Sequence, residues 1–320
     1  MEWAQVEAEE AVGGRSRASR YFLIKHIILY GGMLIISFAS GKGGTGKTFV
    51  VTNVAASIDT GCQFLDCDVE APNAGIFLKP KIARVKNINV MLPKVLEHKC
   101  TACAECVRAC QYKAIVLVRE KVLIFPEQCH SCGACIIACP EDAMVEKSRS
   151  IGYIELGACD HGIDFGHGFL NIGEMRSTPV ISELKSFIDA SRKFVIIDSP
   201  PGTACPVVNT VEESDYCVLV TEPTPFGLSD LKQAIGVLRV LKVPFGVIIN
   251  RDGIGDGRVE EFCTQEGISV ISKIPYDREV AEVYSRGELL FEFSREWEQY
   301  FSSLTKKILE IVQDEADSNN

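Results

Sequence analysis

The chain has 320 residues, enough for one large α/β domain and a small insert. Lysine and arginine total 33 against 43 aspartate and glutamate, and the resulting formal charge of −10 argues against a general electrostatic hold on DNA or anionic lipid. A disulfide framework is the wrong reading of the 14 cysteines in a chain this large, and reduced thiols place the protein in the cytoplasm.

Residues 1–32 stand apart. Tyr21 to Tyr30 is apolar, but Lys25, His26 and two following glycines interrupt it, and no small-residue cleavage site follows. A mobile extension is expected here, with Met33 a natural start of the folded part and no membrane-spanning or secretory role. Met33–Ala39 is a short apolar strand that runs into Gly41-Lys42-Gly43-Gly44-Thr45-Gly46-Lys47-Thr48, and Thr48 to Ile58 reads as a helix. Gln63–Asp68 is a second buried strand ending in acids. The basic stretch Lys79, Lys81, Arg84, Lys86 and Lys94 reads as a solvated face in preference to a docking surface.

From Glu97 to about Lys147 the pattern changes. Cys100-x2-Cys103-x2-Cys106-x3-Cys110 and Cys129-x2-Cys132-x2-Cys135-x3-Cys139-Pro140 flank a hairpin-like stretch, Ala114–Phe125. Beyond Ser148 a glycine-rich connection, Ile151 to Glu174, carries no clear period. Strands follow at Phe194–Asp198, Tyr216–Thr221, Phe245–Asn250 and Val270–Ile274, with helices at Ser229–Leu241, Arg258–Glu266 and Ser294–Val312. Apolar strands alternating with helices predict an α/β fold, a mostly parallel sheet with helices on both faces. The expected organisation is a discontinuous nucleotide-binding domain, 33–96 and 148–320, interrupted by a small α+β insert over 97–147. That insert is too small for an adequate core, so metal centres would supply much of its folding free energy.

The glycine-rich run fits the phosphate-binding loop pattern. Gly41, Gly43, Gly44 and Gly46 let backbone N–H groups, that of Thr45 included, face phosphate oxygens at a helix N-terminus. Lys47 is expected on the β- and γ-phosphates of ATP and the Thr48 hydroxyl on Mg²⁺. The cysteine runs have the ligand spacing of a two-cluster bacterial ferredoxin, in which each run lends its fourth thiolate to the other cluster. Cys100, Cys103, Cys106 and Cys139 would then hold one [4Fe–4S] cluster, and Cys129, Cys132, Cys135 and Cys110 the second. Zinc is the competing metal, but zinc ribbons favour separated pairs over such triplets. Gln111 stands where the second run has Pro140, which puts the local geometry of the first run in question.

Lys42, early in the loop, makes it resemble the deviant Walker A ATPases, the superfamily of the MinD and ParA proteins and the nitrogenase iron protein. Asp66-Cys67-Asp68-Val69-Glu70-Ala71-Pro72-Asn73, the two cysteine runs, and Asp198-Ser199-Pro200-Pro201-Gly202-Thr203-Ala204-Cys205-Pro206 together resemble members of that superfamily with an inserted ferredoxin domain. The likeness spans Met33 to about Gln313. It implies a P-loop NTPase fold and an ATP-dependent homodimer with Lys42 on phosphate across the interface. It also implies catalysis by Lys42, Lys47 and Asp68, the last orienting the attacking water. Asp198 would hold the Mg²⁺ shell, and Asn250, Pro275 and Asp277 would contact the adenine. The acidic Ile311–Asn320 departs from the basic membrane-binding tail of MinD. Cys205 and Cys159 are expected to be ordinary packed residues, a bridged third cluster being the rarer alternative. His161 and His167 are expected in loops, and Cys62, Cys67, Cys217 and Cys263 in the core.

The leading functional expectation is an ATPase that couples dimer closure to electron transfer through two clusters toward a redox or iron–sulfur protein partner. The alternatives are an iron–sulfur cluster assembly or carrier ATPase, and a redox-sensing positioning protein. No direct nucleic-acid binding is expected.

Overall fold

A computed structural model describes residues 32–318. The expectations for residues 1–31 lie outside it. Nine strands form one sheet. In chain order the elements are β1 (Leu34–Ala39), α1 (Lys47–Ala56), β2 (Gln63–Asp66), α2 (Ala74–Leu78), β3 (Lys81–Val95), α3 (Glu105–Ala109), β4 (Ile115–Val118), β5 (Lys121–Ile124), α4 (Ala134–Ile137), β6 (Met144–Ala158) and β7 (Asp164–Leu170). They continue with α5 (Thr178–Lys185), β8 (Phe194–Asp198), α6 (Cys205–Val211), β9 (Tyr216–Thr221), α7 (Pro225–Leu241), β10 (Phe245–Asp252), α8 (Arg258–Gln265), β11 (Val270–Pro275), α9 (Arg278–Ser285), α10 (Leu290–Phe293) and α11 (Arg295–Ser318).

The sheet order is β11-β10-β9-β1-β8-β2-β7-β6-β3, and β4 and β5 make a separate hairpin. From β11 to β7 every pairing is parallel, whereas β6 and β3 join antiparallel. Strands β1, β2, β8 and β9 are buried at every residue, as strands covered on both faces must be. This is an α/β P-loop fold with a mostly parallel sheet.

One region differs from the sequence reading. The glycine-rich stretch from Ile151 is no loop: it is the second half of β6 followed by β7. Its glycines fit because neighbouring strands approach closely; a Cβ on Gly152 would lie 2.1 Å from the Phe169 carbonyl oxygen. Their lack of side chains hides the strand period. The basic stretch, for its part, lies mostly on β3, an edge strand exposed over its first half, where lysines discourage further pairing.

Strands β3 and β6 are 15 residues each and pair along their length. Gly152 of β6 is level with Leu170, the last residue of β7. Residues Met144–Ile151 therefore project beyond the carboxyl edge of the parallel strands, by about 25 Å at roughly 3.3 Å per residue. All eight cysteines of the two runs lie between the tips of this ribbon. The packing is continuous through it: Cys106, Cys110, Cys129, Cys135 and Ile115 share one apolar cluster with Leu92, Ile151, Leu65 and Ile197. At the other end of the chain α11 buries Phe301, Leu304, Ile308 and Val312 in the main core. Its apolar face is thus occupied within the fold. Among the described residues no helix is long and apolar enough to cross a membrane.

Candidate functional site

Strand register builds the nucleotide site. Phe38 of β1, Asp198 of β8 and Asp66 of β2 are level with one another at the carboxyl edge. The chain leaves β1 through Ser40 into the glycine-rich loop and enters α1 at Lys47. Two glycines there are forced by close contact. A Cβ on Gly41 would lie 2.2 Å from the Asp230 carbonyl oxygen. Gly46 has φ 85°, and its Cβ would lie 2.1 Å from Asn250 Nδ2. Gly44 faces open space, and a Cβ on Gly43 would meet only the Pro201 ring, at 4.0 Å.

Lys47 forms an ion pair with Asp198, and Thr48 Oγ1 donates to the other carboxylate oxygen at 2.7 Å. Both partners of the pair are buried, Asp198 completely. Asp66 is also fully buried and accepts the backbone N–H groups of Asp68, Asn73 and Ala74 at 3.0–3.1 Å. Burial and the neighbouring Asp198 push its carboxyl well above the usual range. Burial likewise raises Asp68 to about 6 against the opposing pull of Lys47, with Asp198 adding to the rise. Two carboxyl groups with raised pKa beside a lysine form a site that lacks positive charge, and Mg²⁺ would supply it. Thr45 Oγ1 is buried with no hydrogen-bond partner, a further vacancy that a phosphate oxygen fits.

Lys42 is brought to a different place. Its Nζ meets Glu222 Oε1 at 2.6 Å, and Arg251 Nη1 meets Glu222 Oε2 at 3.1 Å. Burial alone would raise the Glu222 carboxyl, but Lys42 and Arg251 hold it below its ordinary value. Asn250 donates from Nδ2 to the Thr45 carbonyl at 2.8 Å, so its amide braces the phosphate loop itself. Pro275 ends β11 and Asp277 caps α9 by accepting from Glu279 N at 2.8 Å. Both are exposed, and neither hydrogen-bonds the loop among the described residues.

The cysteines gather in two crossed sets. Cys100, Cys103, Cys106 and Cys139 line one small cavity. Cys110, Cys129, Cys132 and Cys135 line another. Among the described residues no three His, Cys, Asp or Glu side chains converge closely enough for a single metal ion; the thiols surround cavities. The two runs repeat every 29 residues, and so does the backbone. Left-handed φ occurs at Ala102 and Ser131, at Ala104 and Gly133, and at Lys113 and Asp142. Ala114 N–H donates to Cys110 Sγ at 3.3 Å, and Ala143 N–H to Cys139 Sγ at 3.3 Å. Gln111 in place of a proline therefore leaves the first run in the same shape as the second.

The remaining sulfurs separate. Cys62, Cys67, Cys217 and Cys263 are buried, and burial pushes Cys62 and Cys217 up to about 12 and Cys263 to about 11, values of inert thiols. Cys205 opens α6 beyond β8, at the carboxyl edge, and is exposed. Cys159 follows β6 at the amino edge, since Ala158 is level with Asp164 and Asp164 with Gln63. The sheet lies between these two cysteines, so they cannot share a centre within one chain. His161 is in a turn, but His167 is in β7, level with Asp66, buried, and within 2.8 Å of Glu155 Oε2. Burial lowers its pKa.

Sequence reasoning passed over Asp66, Glu222, Arg251 and Arg176. Asp66 had a signal, as the first acid of an Asp-x-Asp strand end. Glu222 had a fainter one, a lone acid immediately after a six-residue apolar strand.

Residues 36–291 match the family model described as the CobQ/CobB/MinD/ParA nucleotide binding domain. An uncharacterized protein of Methanocaldococcus jannaschii is 30% identical over 82% of this chain and 93% of its own length. Proteins named iron–sulfur cluster carrier protein are more distant: that of Aquifex aeolicus is 24% identical over 91% of this chain and 69% of its own, and that of M. jannaschii 23% over 87% and 84%. Among solved structures, the cell division ATPase MinD of Pyrococcus furiosus superposes with a TM-score of 0.52 at 19% identity, covering 87% of this chain and 99% of that one. The septum site-determining protein MinD of Pyrococcus horikoshii, complexed with Mg-ADP, gives 0.53 at 17% identity, covering 88% and 98%. The loop, the strand-end acids and the matched span lead to one assignment: this chain belongs to the CobQ/CobB/MinD/ParA family of nucleotide-binding domains.

Proposed function

We propose that the protein is an ATPase that handles iron–sulfur clusters, binding MgATP at the loop over Gly41–Thr48 and two [4Fe–4S] clusters in the cysteine module. The single observation that carries the cluster reading is the sorting of eight thiols into two four-thiol cavities, each drawing its fourth member from the opposite run. Soft thiolates in such sets suit iron–sulfur centres. When bound, the clusters supply one-electron chemistry; the residues that would hold them are Cys100, Cys103, Cys106 and Cys139, and Cys110, Cys129, Cys132 and Cys135.

The nucleotide chemistry follows from the charge inventory. Without ligand Lys47 lies on Asp198; the arriving phosphates compete for its ammonium, and Asp198 and Thr48 become free to hold Mg²⁺. Asp68, the half-buried member of the acid group, orients the attacking water. Phosphoryl transfer depends chiefly on such positioning and charge. Lys42 must leave Glu222 to reach a nucleotide in a facing copy, and Arg251 then stays to neutralise Glu222. Closure of a homodimer therefore exchanges one ion pair for another. The cytoplasm is the compartment expected for such clusters.

Two roles fit this chemistry. Relatives named as cluster carriers favour assembly or carriage of clusters over the electron transfer expected from the sequence. Complete four-thiol sets favour retained clusters that pass electrons. Anaerobic purification with iron and sulfide counted per chain tests the common premise. About eight irons are expected, and two zinc ions per chain would overturn it. Incubating ⁵⁷Fe-loaded protein with an apo-ferredoxin, with and without ATP, then separates transfer of iron from transfer of electrons.

A further inference from the structure

We propose that Arg176 is the positioning residue through which the nucleotide site acts on the cysteine module, setting the potential of the centre held by Cys110, Cys129, Cys132 and Cys135. This rests on the cluster-binding reading above and names a route within it.

Arg176 lies in the short segment 171–177 between β7 and α5, and both ends of that segment are tied to nucleotide-site elements. At the first end, Leu170 N donates to the Val69 carbonyl at 2.8 Å, and Val69 directly follows Asp68. The packing there is tight, since a Cβ on Gly168 would come within 2.6 Å of Val69. At the second end α5 is bound to α6. Lys185 Nζ donates to the Asn209 carbonyl at 2.6 Å, and Ser182 Oγ to Asn209 Oδ1 at 3.2 Å. Helix α6 begins three residues after Gly202, where the Asp198–Gly202 turn ends. Movement at the Asp68 turn thus reaches the start of this segment through a direct bond, and movement at the Asp198 turn reaches its end by way of α6 and α5.

The middle of the segment holds the module. Arg176 Nη1 donates to the Cys129 carbonyl at 3.2 Å. Its Nε and Nη2 donate to the two oxygens of Glu174, both at 2.7 Å, and Glu174 also accepts the N–H groups of Met175 and Arg176. The Arg176 and Glu174 side chains are only 13% and 5% exposed. A planar two-point pair of this kind moves as a unit.

The other cavity provides an internal control. Arg108 donates to the Cys103 carbonyl at 3.0 Å and pairs with Glu105, an arrangement of the same type. Those side chains are 60% and 46% exposed, and both belong to the module itself. Water screens that charge, and among the described residues the Arg108–Glu105 pair makes no hydrogen bond outside the module. The Arg176 charge, more enclosed than that of Arg108, acts in a poorer dielectric and so acts more strongly. Cluster potential responds to charge, hydrogen bonds and exposure, so the two centres differ in potential and only one responds to nucleotide.

The test uses the full chain prepared anaerobically, as wild type, Arg176→Ala and Arg176→Lys. Each is titrated potentiometrically by EPR with ADP or a non-hydrolysable ATP analogue. Wild type is expected to show one midpoint that shifts between nucleotides and one that does not. In Arg176→Ala with full iron content, the responsive midpoint falls and stops responding while the other stays in place; Arg176→Lys restores much of the midpoint. Unchanged midpoints and unchanged nucleotide response in Arg176→Ala overturn the proposal. Hydrogen exchange over residues 126–135 reads the same link without a cluster. ATP-dependent protection there is expected in wild type and lost in Arg176→Ala, and its persistence overturns the proposal even if the variant sheds iron. A wild-type protein that never holds iron refutes the cluster reading instead, and the exchange result still decides whether Arg176 transmits.

Discussion

The Lys47–Asp198 pair is the strongest quantitative test of the site. Its side chains are 6% and 0% exposed, so removing one partner strands a charge in the interior. Such a loss costs about 3–5 kcal/mol, whereas removing both charges together costs far less. Asp198→Asn keeps an acceptor for Thr48, which places it at the low end, about 3 kcal/mol. Lys47→Met leaves Asp198 beside Asp66, and protonation of one of them limits the loss to about 2–3 kcal/mol. At about 2–4 °C per kcal/mol, each single variant is expected to melt roughly 5–10 °C below wild type. The double variant should fall short of the sum by about 2 kcal/mol, the coupling of a contacting pair. Thermal melts at pH 7.5 without Mg²⁺ or nucleotide measure all four proteins. Losses that add to within about 0.5 kcal/mol would show that Lys47 does not rest on Asp198 in the empty site.

Three other expectations follow from the same geometry. Asp68 has a folded pKa of about 6, above its ordinary value, so the folded state holds its proton more tightly and stability is lost as pH rises through 6. Melting temperatures of ligand-free protein at pH 5 and 7 should differ less in Asp68→Asn than in wild type; an equal difference removes the assignment. Asn250→Ala frees the Thr45 carbonyl and, at about 1–1.5 kcal/mol for one hydrogen bond, should weaken nucleotide binding about tenfold by calorimetry, while an unaltered Kd would mean that the brace is idle. Cys103→Ser and Cys139→Ser should perturb the same EPR signal, because both thiols line one cavity, while Cys132→Ser perturbs the other. If Cys139→Ser instead shares its effect with Cys132→Ser, the runs are not crossed.

Much of this was legible because it depends on local pattern. Phe194–Asp198 and Tyr216–Thr221 were read to the residue, since a strand buried on both faces is a plain apolar run ended by a polar residue. The phosphate loop was visible in part because Gly41 and Gly46 meet neighbours that leave no room for a Cβ. The spacing predicts the crossed sets of thiols, and the 29-residue repeat of left-handed residues gives the two runs one backbone shape. What stayed hidden depends on distant pairing. Strand β6 has its period broken by glycines, and the ribbon it makes with β3 brings together residues 64 to 77 positions apart at its base. Lys42 reaches Glu222 across 180 positions, and Arg176 reaches Cys129 across 47. Neither contact has a sequence signature, because only the sheet order brings those residues together.

The same geometry bears on carriage against electron transfer. Each quartet has one exposed thiol, Cys103 or Cys132, and keeps its crossing member, Cys139 or Cys110, more enclosed under an N–H from Ala143 or Ala114. A recipient protein can begin ligand exchange at the exposed thiol, and to take the whole cluster it must also displace the crossing one. That step cuts the bond that ties one run to the other. Beyond that tie, the short helices α3 and α4 and the two-stranded hairpin rest on the apolar cluster they share with Leu92 and Ile151. Delivery of a cluster should therefore loosen the module, whereas electron transfer should leave it folded. Hydrogen exchange over residues 97–147, followed while apo-ferredoxin takes up ⁵⁷Fe, distinguishes the two. Full protection that persists as iron leaves would show that the crossing thiols are not what holds the module together.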